Sequence, residues 1–186
     1  MGQYYLPILA KKSESEIKCA DDIYGYLYTH DYDNGLKLME HSWVGNDFVK
    51  AVITTLEDLG GAHLIWCGDY CDEKKFEGYD ENDVQNLYDL AHMANKFNTK
   101  PSETPRYILN RTKRQYLDME NHKFNPDEWT VHPLPLLTAN SNGRGGGDYE
   151  GTDMELVGTW AGDFISVSDT KPDDYELLKP NFKEAW

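Results

Sequence analysis

Two stretches of this chain end alike. Leu64-Ile65-Trp66-Cys67-Gly68-Asp69 and Val157-Gly158-Thr159-Trp160-Ala161-Gly162-Asp163 each carry a tryptophan into a Gly-Asp pair, followed by Tyr70 or Phe164. Two further patterns repeat in the same order. Residues 5–12 parallel residues 107–114, each a short apolar run closed by two basic residues. Gly35-Leu36-Lys37-Leu38-Met39 parallels Pro133-Leu134-Pro135-Leu136-Leu137, where apolar side chains alternate as a half-buried strand requires. Three matches in one order predict an internal duplication. The expected fold is α+β: two related β-rich units, about 1–79 and 105–168, packed around a pseudo-two-fold axis and covered on one side by two helices.

The helices come from the parts that do not repeat. Over Asp47–Leu59, Asn46 is a suitable N-cap and Phe48, Val49, Val52, Ile53, Leu56 and Leu59 form a stripe at helical spacing. Gly60-Gly61 then offers a left-handed stop. A second helix is expected over 81–97, capped by Asp80, with Val84, Leu87, Tyr88, Ala91 and Ala94 on one face; it would join the halves. Residues 98–105, with Pro101 and Pro105, read as a linker. Residues 1–168 therefore form the expected compact domain. Residues 169–186 read as an acidic appended tail whose Tyr175, Leu177, Leu178, Phe182 and Trp186 offer a way to lie against the body.

Composition supports a β-rich core of large rings. The 186 residues include 13 Tyr, 5 Trp and 6 Phe, side chains that favour strands and need partners for their polar tips when buried. The formal charge is −15. A globally acidic surface repels nucleic acid and anionic lipid, so direct nucleic-acid binding is not expected, whereas a basic protein is a suitable partner. Cys19, Cys67 and Cys71 have no framework spacing, which is the pattern of a reducing compartment. No signal segment and no membrane-length apolar run is legible, and a cytoplasmic location is expected.

Candidate chemistry is sparse. Gly143–Gly147 with Arg144 could direct backbone N–H groups at an anion, yet Asp148-Tyr149-Glu150 follows where a helix N-terminus would complete a phosphate fingerprint. The loop also reads as a wide turn. Asp69 and Asp163, if related by the pseudo-dyad, could meet and share a proton or a metal; each also suits a plain Gly-Asp turn. Cys67-x3-Cys71 lacks the second ligand pair of a zinc site, so no metal is expected, and Cys67 reads as a small buried side chain. Asp31-Tyr32-Asp33-Asn34-Gly35 departs from a calcium loop and reads as an Asn-Gly hairpin turn. Glu40, His41 and Ser42 would alternate faces on a strand and form no nucleophile-base set. No catalytic residues and no cofactor are expected.

Several pieces of the sequence belong together: Met1-Gly-Gln-Tyr-Tyr5, Gly35-Leu-Lys-Leu-Met-Glu-His41, Trp66-Cys-Gly-Asp-Tyr70, Asn110-Arg-Thr-Lys-Arg-Gln-Tyr116, Asn142-Gly-Arg-Gly-Gly-Gly-Asp-Tyr149 and Val157-Gly-Thr-Trp-Ala-Gly-Asp163. In these the chain resembles a family of short bacterial and phage-borne proteins with no established activity. The resemblance runs from residue 1 to about 168 and implies one intact unit. Phage occurrence implies a counter-defence or partner-blocking role. The expected function is a non-catalytic acidic binding module that blocks or sequesters a basic partner, such as a nucleic-acid-handling defence enzyme of the CRISPR nuclease kind. The alternative is a small enzyme or binder for a nucleotide or phosphorylated ligand, using Arg144, Gly145, Gly146, Gly147, Asp148 and Asp163.

Overall fold

Strand β1 (Tyr5–Ala10) is buried along its whole length. It pairs antiparallel on one edge with β2 (Ile23–Tyr26) and on the other with β3 (Ala62–Gly68). The structure, a computed structural model, describes residues 2–140 and 146–185. The second part of the chain supplies β4 (Tyr107–Asn110), β5 (Gln115–Asp118), β6 (Ala139–Asn140), β7 (Phe164–Ser168) and β8 (Glu176–Leu177). Among the described residues these eight strands form one sheet in the order β2-β1-β3-β7-β4-β5-β8, with β6 also paired to β3. Along the inner edge of β3, Ala62 and His63 pair antiparallel with β7, while Trp66 and Cys67 pair parallel with β6. One strand thus joins the two parts of the chain.

Both faces of the first half are covered, which is why β1 and β3 read as nearly continuous apolar runs. Helices α1 (Leu38–His41), α2 (Asp47–Leu59) and α4 (Pro133–Leu137) lie in front. There Tyr5, Leu9, Leu64 and Trp66 meet Phe48, Val52, Leu56, Leu134 and Leu137. Behind, α3 (Leu87–Ala91) and its flanking loops bring Phe76, Val84, Leu87 and Leu90 onto Leu6, Ile8, Ile65 and Cys67. The two predicted covering helices therefore sit on opposite faces of the sheet.

Helix α2 occupies its expected span because every signal for it is local. Asn46 Oδ1 accepts from the N–H groups of Phe48 (2.8 Å) and Val49 (3.4 Å). Gly60 has φ +71°, and the amides of Gly60 and Gly61 return to Glu57 and Leu56, closing a Schellman stop. Burying Phe48, Val49, Val52 and Ile53 stabilises the packing by about 1.5–3 kcal/mol per side chain.

Other expectations change. The helix expected over 81–97 forms only as α3, because Asn86 interrupts it: its side chain accepts from Asp89 N–H and donates to Asp69 O. Asp80 Oδ1 caps a turn at Asn82 instead. Gly35–Met39 and Pro133–Leu137 were expected as strands, and both run into short helices. Pro133 at the first helical position and His132 Nδ1, accepting from Leu134 N–H, start α4; the apparent alternation came from the prolines. The expected Asn-Gly hairpin is a 3-10 turn, Thr29–Tyr32, ended by Asp33 at φ 57°.

The matched tryptophans are not equivalent. Trp66 lies within β3, whereas Trp160 lies in the turn before β7. Tyr5 faces the front core and Tyr107 the back, so that match is one residue out of register, and a one-residue slip exchanges faces. Residues 169–185, expected as an appended tail, are docked: β8 pairs parallel with β5, and the Phe182 ring is buried 5.4 Å from Tyr149. Among the described residues no helix is long and apolar enough to cross a membrane.

Candidate functional site

Of the expected ligand-binding residues, Arg144 and Gly145 lie outside the described residues. Gly146 forms a parallel bridge with Gly2. Gly147, at φ +88°, accepts from Met39 N–H through its carbonyl, and a Cβ there would collide with Lys37. Asp148 points inward: Gln3 Nε2 donates to its two oxygens at 3.2 and 3.4 Å. Burial, and next the Asp148 charge, push the neighbouring Tyr5 hydroxyl well above the usual phenol range. Asp163 lies elsewhere. It accepts from Asn110 Nδ2 (2.8 Å) and forms an ion pair with Lys113, both on the β4–β5 hairpin. Asp69 instead accepts from Tyr4 N–H at 2.9 Å beyond the other end of β3. The pseudo-dyad meeting of Asp69 and Asp163 does not occur, because Asp163 sits opposite Leu64 rather than at the strand end.

Glu40 and His41 lie on α1 and Ser42 caps its C-terminus, rather than all three lying on a strand, and each has a structural task. Glu40 accepts from Lys37 N–H, and Ser42 Oγ donates to Leu38 O. His41 is buried with Nδ1 3.0 Å from Gly35 O, while Nε2 accepts from Trp66 Nε1–H at 2.8 Å. Those partners require the neutral tautomer protonated at Nδ1, and burial lowers the His41 pKa to about 4. His132 is lowered to about 3 for the same reason.

Behind the sheet, a cleft of about 500 Å³ is lined by Glu14, Cys71, Lys74, Phe76, Asn140 and Asp163, among others. Glu14 accepts from Asn140 Nδ2, and burial raises its carboxyl pKa. Lys74 Nζ is committed to backbone carbonyls, with Ile17 O at 2.7 Å. Cys67 and Cys71 are free thiols with their sulfurs 3.6 Å apart. Among the described residues no group of three or more His, Cys, Asp or Glu is placed to hold a metal ion.

Among the described residues the most exposed large rings lie in front, on a stretch to which the sequence reading assigns no role. Trp129 is 73% exposed and Phe124 64% exposed. Trp129 makes an edge-to-face contact with half-buried Trp43 at 5.1 Å, and Trp43 is fixed by its Nε1–H bond to Met39 O (2.9 Å). The turn between the rings is held by Asn125 Oδ1, which accepts from Asp127 N–H. Clefts of about 460 and 670 Å³ flank Trp129. Glu40, Asp127, Glu128 and Glu184 stand on their rims with Lys123, which is paired to Glu120, and Lys183. The signal was present in Phe124-Asn-Pro-Asp-Glu-Trp129: two large rings around a proline turn with two adjacent acids. What sequence alone could not supply was Trp43, which arrives from a distant segment through the Trp43–Val131 bridge.

No family model matches this chain, and neither any curated protein nor any solved structure resembles it at a significant level.

Proposed function

We propose that the protein is a non-catalytic binding module that holds a basic segment of a partner protein across the Trp43–Trp129–Phe124 surface and so blocks or sequesters that partner. The exposure of Trp129 beside Phe124, between two clefts with acidic rims, carries this reading. Large rings left in water are the usual anchors of protein interfaces. An Arg or Lys over an indole face gains roughly 0.5–1 kcal/mol at an exposed site and about 2 when desolvated. The net charge of −15 adds a long-range field that steers a basic partner inward. A phage-type inhibitor that occupies the basic channel of a nucleic-acid-handling enzyme, such as a CRISPR nuclease, is the specific form of this proposal. Asp148, held inward by Gln3, supplies no free base for the nucleotide alternative.

The test is titration of tryptophan fluorescence with an arginine-rich peptide and its glutamate-substituted counterpart at two salt concentrations. The arginine-rich peptide should bind, and binding should weaken with salt because the Debye length is only about 8 Å at physiological ionic strength. Trp129→Ala should reduce affinity about tenfold or more, equivalent to about 1.4 kcal/mol. Equal binding of both peptides, or no effect of Trp129→Ala, would overturn the proposal. So would turnover of a nucleotide that is lost on Arg144→Ala or Asp163→Asn.

The duplication remains part of the proposal on different grounds from the motif match. Apart from α1 in the first half and β6 in the second, each half runs paired strands, helix, closing strand: β1-β2-α2-β3 and β4-β5-α4-β7. In each the first strand lies between the other two, and the closing strands β3 and β7 pair antiparallel. That order supports two related units about a pseudo-two-fold axis normal to the sheet.

A further inference from the structure

The chain reverses at the end of β3, where Cys71 N–H donates to Gly68 O and the turn carries Cys71 back beside Cys67. The sulfurs stand 3.6 Å apart, with Cys67 Sγ donating to Cys71 Sγ. A disulfide needs about 2.05 Å between sulfurs, so closure requires roughly 1.5 Å of approach shared by two side chains on one turn. The two thiols are unequal. Both lie in the back core, Cys67 at 0% and Cys71 at 5% exposure, and of the two only Cys71 lines the cleft of about 500 Å³. The hydrogen bond from Cys67, and then the amides of Leu87 and Tyr88 at the start of α3, hold the Cys71 thiol below its ordinary range; burial pushes Cys67 above it.

We propose that Cys71 and Cys67 form a redox-active dithiol, with Cys71 the attacking thiol reached through this cleft and Cys67 the resolving thiol, and that its oxidant is a neutral hydroperoxide. The Cys71 thiolate attacks one peroxide oxygen, the O–O bond breaks, and hydroxide or alkoxide leaves. Cys71 becomes a sulfenic acid while the peroxide is reduced by two electrons. Cys67 sulfur then attacks Cys71 sulfur; the S–S bond forms, the S–O bond breaks, and the Cys67 proton leaves with the hydroxyl as water. A small dithiol reverses the reaction by exchange, leaving as its own disulfide. The surroundings select the oxidant. Glu14, Asp72, Glu73 and Asp163 place carboxylates around the cleft and disfavour an anionic disulfide such as oxidised glutathione, whereas Phe76 and Leu87 leave apolar wall for a small alkyl group.

The test uses the full chain, reduced and then exposed separately to hydrogen peroxide, tert-butyl hydroperoxide and oxidised glutathione, with peptide mass analysis. Cys67 and Cys71 share one tryptic peptide and Cys19 lies on another. Either hydroperoxide should remove two hydrogens from the shared peptide and leave Cys19 reduced. Cys67→Ser should stop at a sulfenic acid on Cys71, trapped by a 1,3-dione, about tenfold faster than any reaction at Cys19. Cys71→Ser should leave Cys67 unmodified. If Cys67→Ser fails to fold, Cys67→Ala serves, with circular dichroism as the check. Oxidation at Cys19 first, a trapped sulfenic acid on Cys67, or no disulfide at peroxide levels that oxidise an exposed thiol would overturn the proposal. Faster oxidation by oxidised glutathione than by either hydroperoxide would overturn the choice of oxidant.

Discussion

Trp66 and Trp129 show the same side chain in two settings on the front of the molecule. Trp66 is fully buried: its ring lies edge-on to His41, with centroids 5.8 Å apart and planes 28° from parallel, donates its N–H to His41 Nε2, and meets the edge of Phe48. Trp129 keeps most of its ring in water and leans on Trp43, whose own N–H is already bound to Met39 O. Trp66 therefore contributes burial and a satisfied hydrogen bond to the fold. Trp129 buries little against its own chain and retains that area for a partner. The difference shows that an aromatic composition does not identify a site; the site lies where a ring is held in place by neighbours yet left uncovered.

The largest expected break in this contrast is Trp66→Ala, which removes a fully buried ring between two other rings. It should cost about 3–5 kcal/mol in urea unfolding. A loss below about 1 kcal/mol would mean that the cluster around Trp66 is not a structural centre.

Acid sharpens the contrast next, because His41 is bonded directly to Trp66; His122, which lines a cleft beside Trp129, is lowered by burial in the same direction. His41 is held neutral with a pKa near 4, below its usual 6.5. The unfolded chain therefore binds the extra proton first, and stability falls as pH drops from about 6.5 to about 4. The full effect of this group is on the order of 3 kcal/mol. His132, lowered to about 3, acts in the same direction. Asp22, lowered to about 2 chiefly by the backbone bond from Lys18, adds acid sensitivity only below the ordinary carboxylate range. Urea midpoints across this window should fall with pH, and His41→Gln should flatten part of the slope. A flat profile from pH 6.5 to 4 would contradict a buried neutral His41.

Asn46 links the two regions: it caps the helix that carries Phe48 to Trp66, and it lines the cleft beside Trp43. Asn46→Ala should cost about 1 kcal/mol in stability, the ordinary value of a lost cap. The smallest stability effect belongs to Trp129→Ala, expected within about 0.5 kcal/mol of the parent despite the size of the ring removed. A loss comparable to that of Trp66→Ala would place Trp129 in the fold and leave the binding surface without its anchor.

Legibility followed the range of the deciding interaction. Helix α2 was readable because Asn46, the apolar stripe and Gly60-Gly61 act within a few turns of one another. Pro133–Leu137 was misread because five apolar residues with two prolines satisfy a strand pattern as well as a helical one; the His132 cap and complete burial chose the helix. The 81–97 stripe was sound at Val84, Leu87 and Ala91, all buried in one cluster, yet Asn86 bound the strand-end carbonyl of Asp69 and divided the segment. The site was less legible than the fold. Gly-Asp repeats drew attention to Asp69 and Asp163, which the sheet separates, while Trp43 and Trp129 lie far apart in sequence and meet only in space.

By itself the sequence determined the mixed α+β class, the acidic character, the span of α2 and the apolar strands β1 and β3. These depend on composition, periodicity and caps that neighbouring residues read directly. Only the tertiary structure decided the pairing of β3 with β7 and β6, the docking of residues 169–185, the faces taken by Tyr5 and Tyr107, and the exposure of Trp129. Pairing register and burial are set by contacts between distant segments. A shift of one residue in a strand turns every side chain to the other face without changing a letter of the sequence.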